Sequence, residues 1–191
     1  MPELKILIVD DEAPARARMR ELLGDIRDEV PNCVVGEAEN GIAAINRLAD
    51  DAPDVVLADI RMPKMDGIEL ARHLATLPNP PAVIFATAYD AYAMQAFDLN
   101  AVDYLLKPVR AVRLAAALGK ARMLHPPAPA VLAALQPEGR SHLSCHERGR
   151  LLLVPVADIL YLKADLKYVT ARTREREYLL DESLMHLETE F

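Results

Sequence analysis

The chain has 191 residues, a formal net charge of −7, 52% hydrophobic residues and no tryptophan. That length holds one ordinary domain and a fragment, or two small domains, with enough apolar material for a core. The acidic balance excludes a chain that coats nucleic acid along its whole length; no apolar run approaches membrane-spanning length, and Cys33 and Cys145 match no metal or disulfide framework. With an N-terminus that lacks signal-peptide architecture, these features predict a soluble cytoplasmic protein without a membrane partner.

The first half alternates strand and helix. Lys5 to Val9 is a short apolar strand ending on Asp10 and Asp11. Glu12-Ala13-Pro14 opens a helix, since proline is tolerated in a first turn, and Met19, Leu22, Leu23 and Ile26 keep helical spacing. Cys33 to Gly36 reads as a second strand, and Asn40 caps a helix carrying Ile42, Ala43, Ile45 and Leu48. Val55-Val56-Leu57-Ala58 has the composition of a strand buried on both faces, with Asp59 directly after it and a proline-containing turn beyond. Asp66-Gly67, read only as a turn, leads into a helix through Leu70, Ala71 and Leu74. A fourth strand, Ala82 to Ala86, ends at Thr87 and a helix follows from about Tyr89 to Phe97. A fifth strand, Ala101 to Leu106, ends at Lys107-Pro108, a candidate cis bond, and a last helix runs from about Val109 to Leu124.

Strands alternating with helices predict a parallel sheet covered on both faces, whose carboxyl ends share one edge. Asp10, Asp11, Asp59, Thr87 and Lys107 would then meet in one cleft. Adjacent carboxylates repel unless a cation relieves them, and Mg²⁺ suits a few oxygen ligands, retained waters and a phosphate. A lysine and a threonine nearby can hold phosphoryl oxygens. The chemistry this suggests is phosphorylation of an aspartate. Taken singly, Thr87 is a strand-end cap, Lys107 a surface charge and Tyr104 a core aromatic; only their joint occurrence favours chemistry.

Four motifs carry a family resemblance: Ile8-Val9-Asp10-Asp11-Glu12, the run from Val56 to Gly67, Ala86-Thr87-Ala88, and Asp103 to Pro108. Residues 1–124 resemble the receiver domain of bacterial two-component response regulators, which implies a flavodoxin-like, doubly wound sheet in the order 2-1-3-4-5. The resemblance assigns Asp59 as acceptor of a phosphoryl group from a partner sensor histidine kinase. It gives Asp11, Asp59 and the Arg61 carbonyl direct contacts to Mg²⁺, and Asp10 a contact through water. Thr87 and Lys107 would hold phosphoryl oxygens. Tyr104 would be the aromatic that swings inward on activation, moving the face made by the helix after the fourth strand, the fifth strand and the last helix. That face implies a homodimer. The resemblance implies a phosphoryl acceptor, not an enzyme.

Composition changes at His125, where three prolines at 126, 127 and 129 stop the helix; residues 125–139 read as a linker. Beyond it the pattern is that of β-structure, with strands at Ser141 to Cys145, Arg150 to Val154, Ile159 to Leu162, Lys167 to Arg172 and Glu177 to Leu180, then a helix from Ser183. From Arg140 to Arg176 eight basic residues face four acidic ones, a net of +4, and from Glu177 onward there are five acids and no Lys or Arg. Such a module suits a phosphate-facing surface or a sheet edge guarded by cations. His142, Cys145 and His146 match no metal signature and read as ordinary strand residues.

The run from Ile159 to Thr170, with Leu180 to Leu184 and Leu187-Glu188, makes residues 140–191 similar to the first part of a LytTR-type DNA-binding domain. The chain as a whole resembles the alginate-regulator branch of LytTR response regulators. The resemblance implies that Lys163 and Lys167, with Arg172 less central, touch promoter DNA. LytTR domains continue through a Phe-x-Arg-x-His-Arg segment that would begin near Phe191, so a truncated output domain is expected. Two functions follow: a phosphorylation-dependent transcription regulator, or a phosphoreceiver that binds proteins only and has lost DNA binding. A phosphatase using aspartyl phosphate is disfavoured, because it expects a second aspartate where Arg61 stands.

Overall fold

A computed structural model of the chain describes residues 3–88, 103–122, 139–165 and 168–191. The chain divides into two compact units, 1–135 and 136–191.

The N-terminal unit is built on a parallel sheet of β1 (Leu4–Val9), β2 (Asn32–Ala38), β3 (Val55–Ala58), β4 (Ala82–Thr87) and β5 (Asp103–Leu106), in the order β2-β1-β3-β4-β5. Strand order and parallel pairing are those the resemblance implies. Each strand is followed by a turn at the same sheet edge. α1 (Ala13–Asp25), α2 (Gly41–Asp51) and α3 (Gly67–Leu74) make the described crossovers, and α4 (Ala111–Ala121) follows β5. The helix expected over 89–97, the first two residues of the fifth strand and nearly all of the 125–139 linker lie outside the described residues.

Period-two alternation sends side chains to both faces of the sheet. On one face Ile6, Ile8, Val55, Leu57, Ile84 and Leu105 join Leu22 and Leu23 of α1 and Leu114 and Leu118 of α4 in one buried cluster. The alternate positions Leu7, Val9, Val56, Ala58, Val83 and Phe85 are equally buried, which is why these strands are apolar throughout. Local chemistry starts the helices: Asn40 Oδ1 accepts from Ala43 N–H at 2.9 Å, and Asp66 Oδ1 from Glu69 N–H at 2.8 Å.

The C-terminal unit is mostly β. β6 (His142–Glu147) and β7 (Arg150–Pro155) form a two-stranded antiparallel hairpin. β8 (Tyr161–Asp165), β9 (Tyr168–Arg172) and β10 (Glu177–Leu180) form a three-stranded antiparallel sheet, followed by α5 (Leu184–Glu190) capped by Ser183. Leu143, Cys145, Val154, Val169, Ala171, Leu180 and Leu187 make its core. One expected strand is displaced. Pairing over Ile159 to Leu162 was anticipated, but Val156–Asp158 form a 3-10 turn whose Val156 carbonyl takes the Ile159 N–H. The ladder therefore begins with Leu160 N–H donating to the Arg172 carbonyl, and β8 runs on to Asp165.

Candidate functional site

The carboxyl ends of β1, β3 and β5 converge on a group of charged side chains. Asp10 follows β1, and its N–H donates to the Ala38 carbonyl at 3.0 Å, which anchors it at the edge of the sheet. Asp59 follows β3 and is anchored likewise, through its N–H to the Val9 carbonyl at 2.8 Å. Both carboxylates are buried, whereas Asp11 is exposed. One oxygen from each of Asp10, Asp11 and Asp59 lies within 4.8 Å of the others.

Lys107 enters this group from the end of β5. Its Nζ donates to Asp10 Oδ2 and to Asp59 Oδ2, both at 2.7 Å. Burial pulls the lysine pKa down, but the hydrogen bonds and charges of the two aspartates prevail and hold it above its ordinary value. The Lys107–Pro108 bond is cis. The Lys107 N–H donates to the Thr87 carbonyl at 2.9 Å, so the last residue of β4 and the lysine share one edge. Thr87 is fully buried there. Arg61, two residues past Asp59, turns its N–H back toward Asp59 Oδ1 at 3.4 Å. Tyr104 is buried on β5, paired in register with Phe85.

Three carboxylates brought this close form a hard oxygen donor set, and such a set fits a small divalent cation of the Mg²⁺ kind. The described residues hold one further cluster of metal-binding character, Glu182, His186 and Glu190. There a guanidinium already occupies the middle: Arg140 donates to Glu182 at 2.8 and 2.7 Å and to Glu190 at 3.1 and 2.9 Å.

Three residues that position the site are given no chemical role by the sequence. A Cβ on Gly67 would lie 2.1 Å from the Asp59 carbonyl oxygen, so the start of α3 sits against the acid-bearing turn only because residue 67 is glycine. Asp66 caps that helix, and burial pushes its carboxyl pKa up. Arg16 of α1 donates to the Asp10 carbonyl at 2.8 Å and pairs with Glu37 at 3.2 Å, bracing the Asp10–Asp11 turn from behind. The Asp-Gly pair between a turn and a helix was a visible cue for Gly67; Arg16 offered none.

In the C-terminal unit, pairing in register puts Lys163 of β8 and Arg172 of β9 on the same sheet face as Tyr161, Tyr168 and Leu179. Lys163 is exposed, and Arg172 is half-buried with Glu177 at 3.7 Å. Lys167 lies outside the described residues. His142, Cys145 and His146 do not gather: Cys145 is buried, His146 contacts Asp181 at 2.9 Å and His142 contacts Ser141 at 2.8 Å.

Comparison with known proteins agrees with this arrangement. Residues 6–119 match the response regulator receiver domain family, and residues 149–191 match the LytTr DNA-binding domain family. The chain is 42% identical over 192 residues to the positive alginate biosynthesis regulatory protein of Pseudomonas aeruginosa, covering 98% of this chain and 77% of that protein. It is 32% identical over 190 residues to the sensory transduction protein LytT of Bacillus subtilis, covering 97% of this chain and 75% of that one. Among solved structures, the receiver domain of the response regulator AraT from Geobacillus stearothermophilus is similar with a TM-score of 0.55 and 38% identity, over 64% of this chain and 95% of that chain. The response regulatory domain of mrkE from Klebsiella pneumoniae is similar with a TM-score of 0.54 and 32% identity, over 63% of this chain and 96% of that chain. The chain belongs to the response regulators of two-component systems, with a receiver domain followed by a LytTR-type DNA-binding domain.

Proposed function

We propose that this cytoplasmic response regulator takes a phosphoryl group on Asp59 and passes the change to promoter DNA through residues 140–191, the receiver spanning 1–124. The observation that carries the reading is the Lys107 ammonium held 2.7 Å from both Asp10 and Asp59. A cationic donor beside the acceptor carboxylate is what a developing phosphoryl charge requires.

In the proposed step an Asp59 carboxylate oxygen forms a bond to the phosphorus of a kinase phosphohistidine. The N–P bond breaks, and its electron pair stays on the imidazole nitrogen. Asp10, Asp11, Asp59 and the Arg61 carbonyl would hold Mg²⁺, which when bound neutralises phosphoryl oxygens. Lys107 then turns from the two aspartates to one phosphoryl oxygen, and Thr87 supplies a hydroxyl to another. Protein groups only position and neutralise; the kinase delivers the activated phosphoryl group. Tyr104 follows Thr87, and the β5–α4 face, where Leu106 and Val112 stand exposed, forms a homodimer. Lys163, Lys167 and Arg172 contact DNA.

Gel shift on promoter fragments, with and without beryllofluoride and Mg²⁺, tests this reading. Retardation that tightens with beryllofluoride is expected. A receiver that changes its sedimentation with beryllofluoride yet never retards DNA would favour a protein-binding module instead.

A further inference from the structure

The β6–β7 hairpin turns through Arg148 and Gly149, both at positive φ, 52° and 77°. That backbone makes a tight two-residue connection and sets Arg148 beside Arg150 at its tip. The turn from β9 into β10 brings a third arginine to the same place. Arg176 lies 3.1 Å from Glu147 and stacks 4.4 Å above the Tyr178 ring. A cavity of about 430 Å³ is lined by Glu147, Arg148, Arg150, Leu152 and Arg176.

Charge at this corner is unbalanced. Three guanidinium groups face one carboxylate, and Arg148 and Arg150 are exposed and form no ion pair among the described residues. In a chain of net charge −7, this corner concentrates positive charge on an exposed surface, which favours an anionic partner. The lining has a single apolar side chain, Leu152, too little to hold an apolar ligand. Guanidinium forks match phosphate oxygens in pairs.

We propose that Arg148, Arg150 and Arg176 form a phosphate-gripping corner that binds the duplex backbone without reading sequence. The inference rests on the DNA-binding reading above and adds a contact distinct from Lys163, Lys167 and Arg172. Arg176 adjoins the Tyr161–Arg172–Glu177 rung at one end of the three-stranded sheet, and its guanidinium stacks on Tyr178, which pairs with Ala171 on the face opposite Lys163 and Arg172. The corner is therefore a phosphate contact separate from that face.

The test is fluorescence anisotropy of labelled duplexes with the 191-residue chain and its Arg148→Gln/Arg150→Gln variant, between about 50 and 200 mM salt. Losing two phosphate contacts reduces the log–log salt slope by about 1.8, so the affinity lost over that range is about twelvefold smaller in the variant. The effect should be the same for promoter and random duplexes, and Arg148→Lys/Arg150→Lys should restore the slope. An unchanged slope in the glutamine variant, with the parent chain binding normally, overturns the corner and leaves the DNA reading standing. A parent chain that binds no duplex at the lowest salt overturns both. Binding to phosphatidylserine vesicles in place of duplex reassigns the corner to a membrane surface and overturns it too.

Discussion

Lys107 and Asp59 are 48 positions apart in the chain, yet the lysine Nζ lies 2.7 Å from the aspartate Oδ2. The same ammonium contacts Asp10 at the same distance, so one cation joins the ends of β1, β3 and β5. It offsets the mutual repulsion of two buried carboxylates.

Replacing the lysine isolates that contribution. Lys107→Met should lower stability by about 1–3 kcal/mol, because two buried like charges lose their shared partner. Added Mg²⁺ should then raise the melting temperature more in the variant than in the parent, the metal taking over the neutralising role. A thermal-shift titration reads both effects. Phosphoryl uptake should fall by about 100-fold.

Stability should also depend on alkaline pH. Burial opposes the lysine charge, but its hydrogen bonds to Asp10 and Asp59 and their negative charges outweigh it and raise the folded-state pKa. The stabilisation is therefore complete below the unfolded value of about 10.4 and is lost as pH rises through the higher folded value. Urea unfolding between about pH 9 and 12 should show a steeper decline in the parent than in Lys107→Met.

Gly67→Ala places a methyl group on the Asp59 carbonyl oxygen, where only backbone can give way. The variant should lose about 1–3 kcal/mol or more and bind Mg²⁺ more weakly, since α3 and the acid-bearing turn must separate. Denaturant titration together with calorimetric Mg²⁺ titration measures the two losses side by side.

Arg140 is the corresponding keystone of the C-terminal unit, with its side chain 3% exposed between Glu182 and Glu190. Arg140→Ala leaves two carboxylates without their cation and should destabilise this unit by about 3–5 kcal/mol. Arg140→Lys should recover only part, because a point charge cannot reproduce the two forked contacts. Amide hydrogen exchange over α5 and β6 checks the order Ala, Lys, Arg.

Much of the receiver was legible in the sequence because strands buried on both faces read as apolar runs, and their polar ends announce themselves by contrast. Asp10, Asp11, Asp59 and Lys107 were found that way, and the structure brings them together. What stayed hidden depends on approach across the chain. Gly67 looked like any turn glycine until the Asp59 carbonyl was seen against it. Arg140 looked like one more cation after a linker, because its partner Glu190 is 50 residues away. The start of β8 was misread because a 3-10 turn claims the Ile159 N–H, a competition that apolar patterning does not register.

The central claim is that Asp59 is the phosphoacceptor, and direct mapping of the modified residue tests it. The chain is treated with acetyl phosphate and Mg²⁺, the aspartyl phosphate is trapped by borohydride reduction, and the peptides are read by mass spectrometry. The label should fall on Asp59 alone, vanish with chelator and vanish in Asp59→Asn. Label on another residue, or uptake undiminished in Asp59→Asn, would contradict the account.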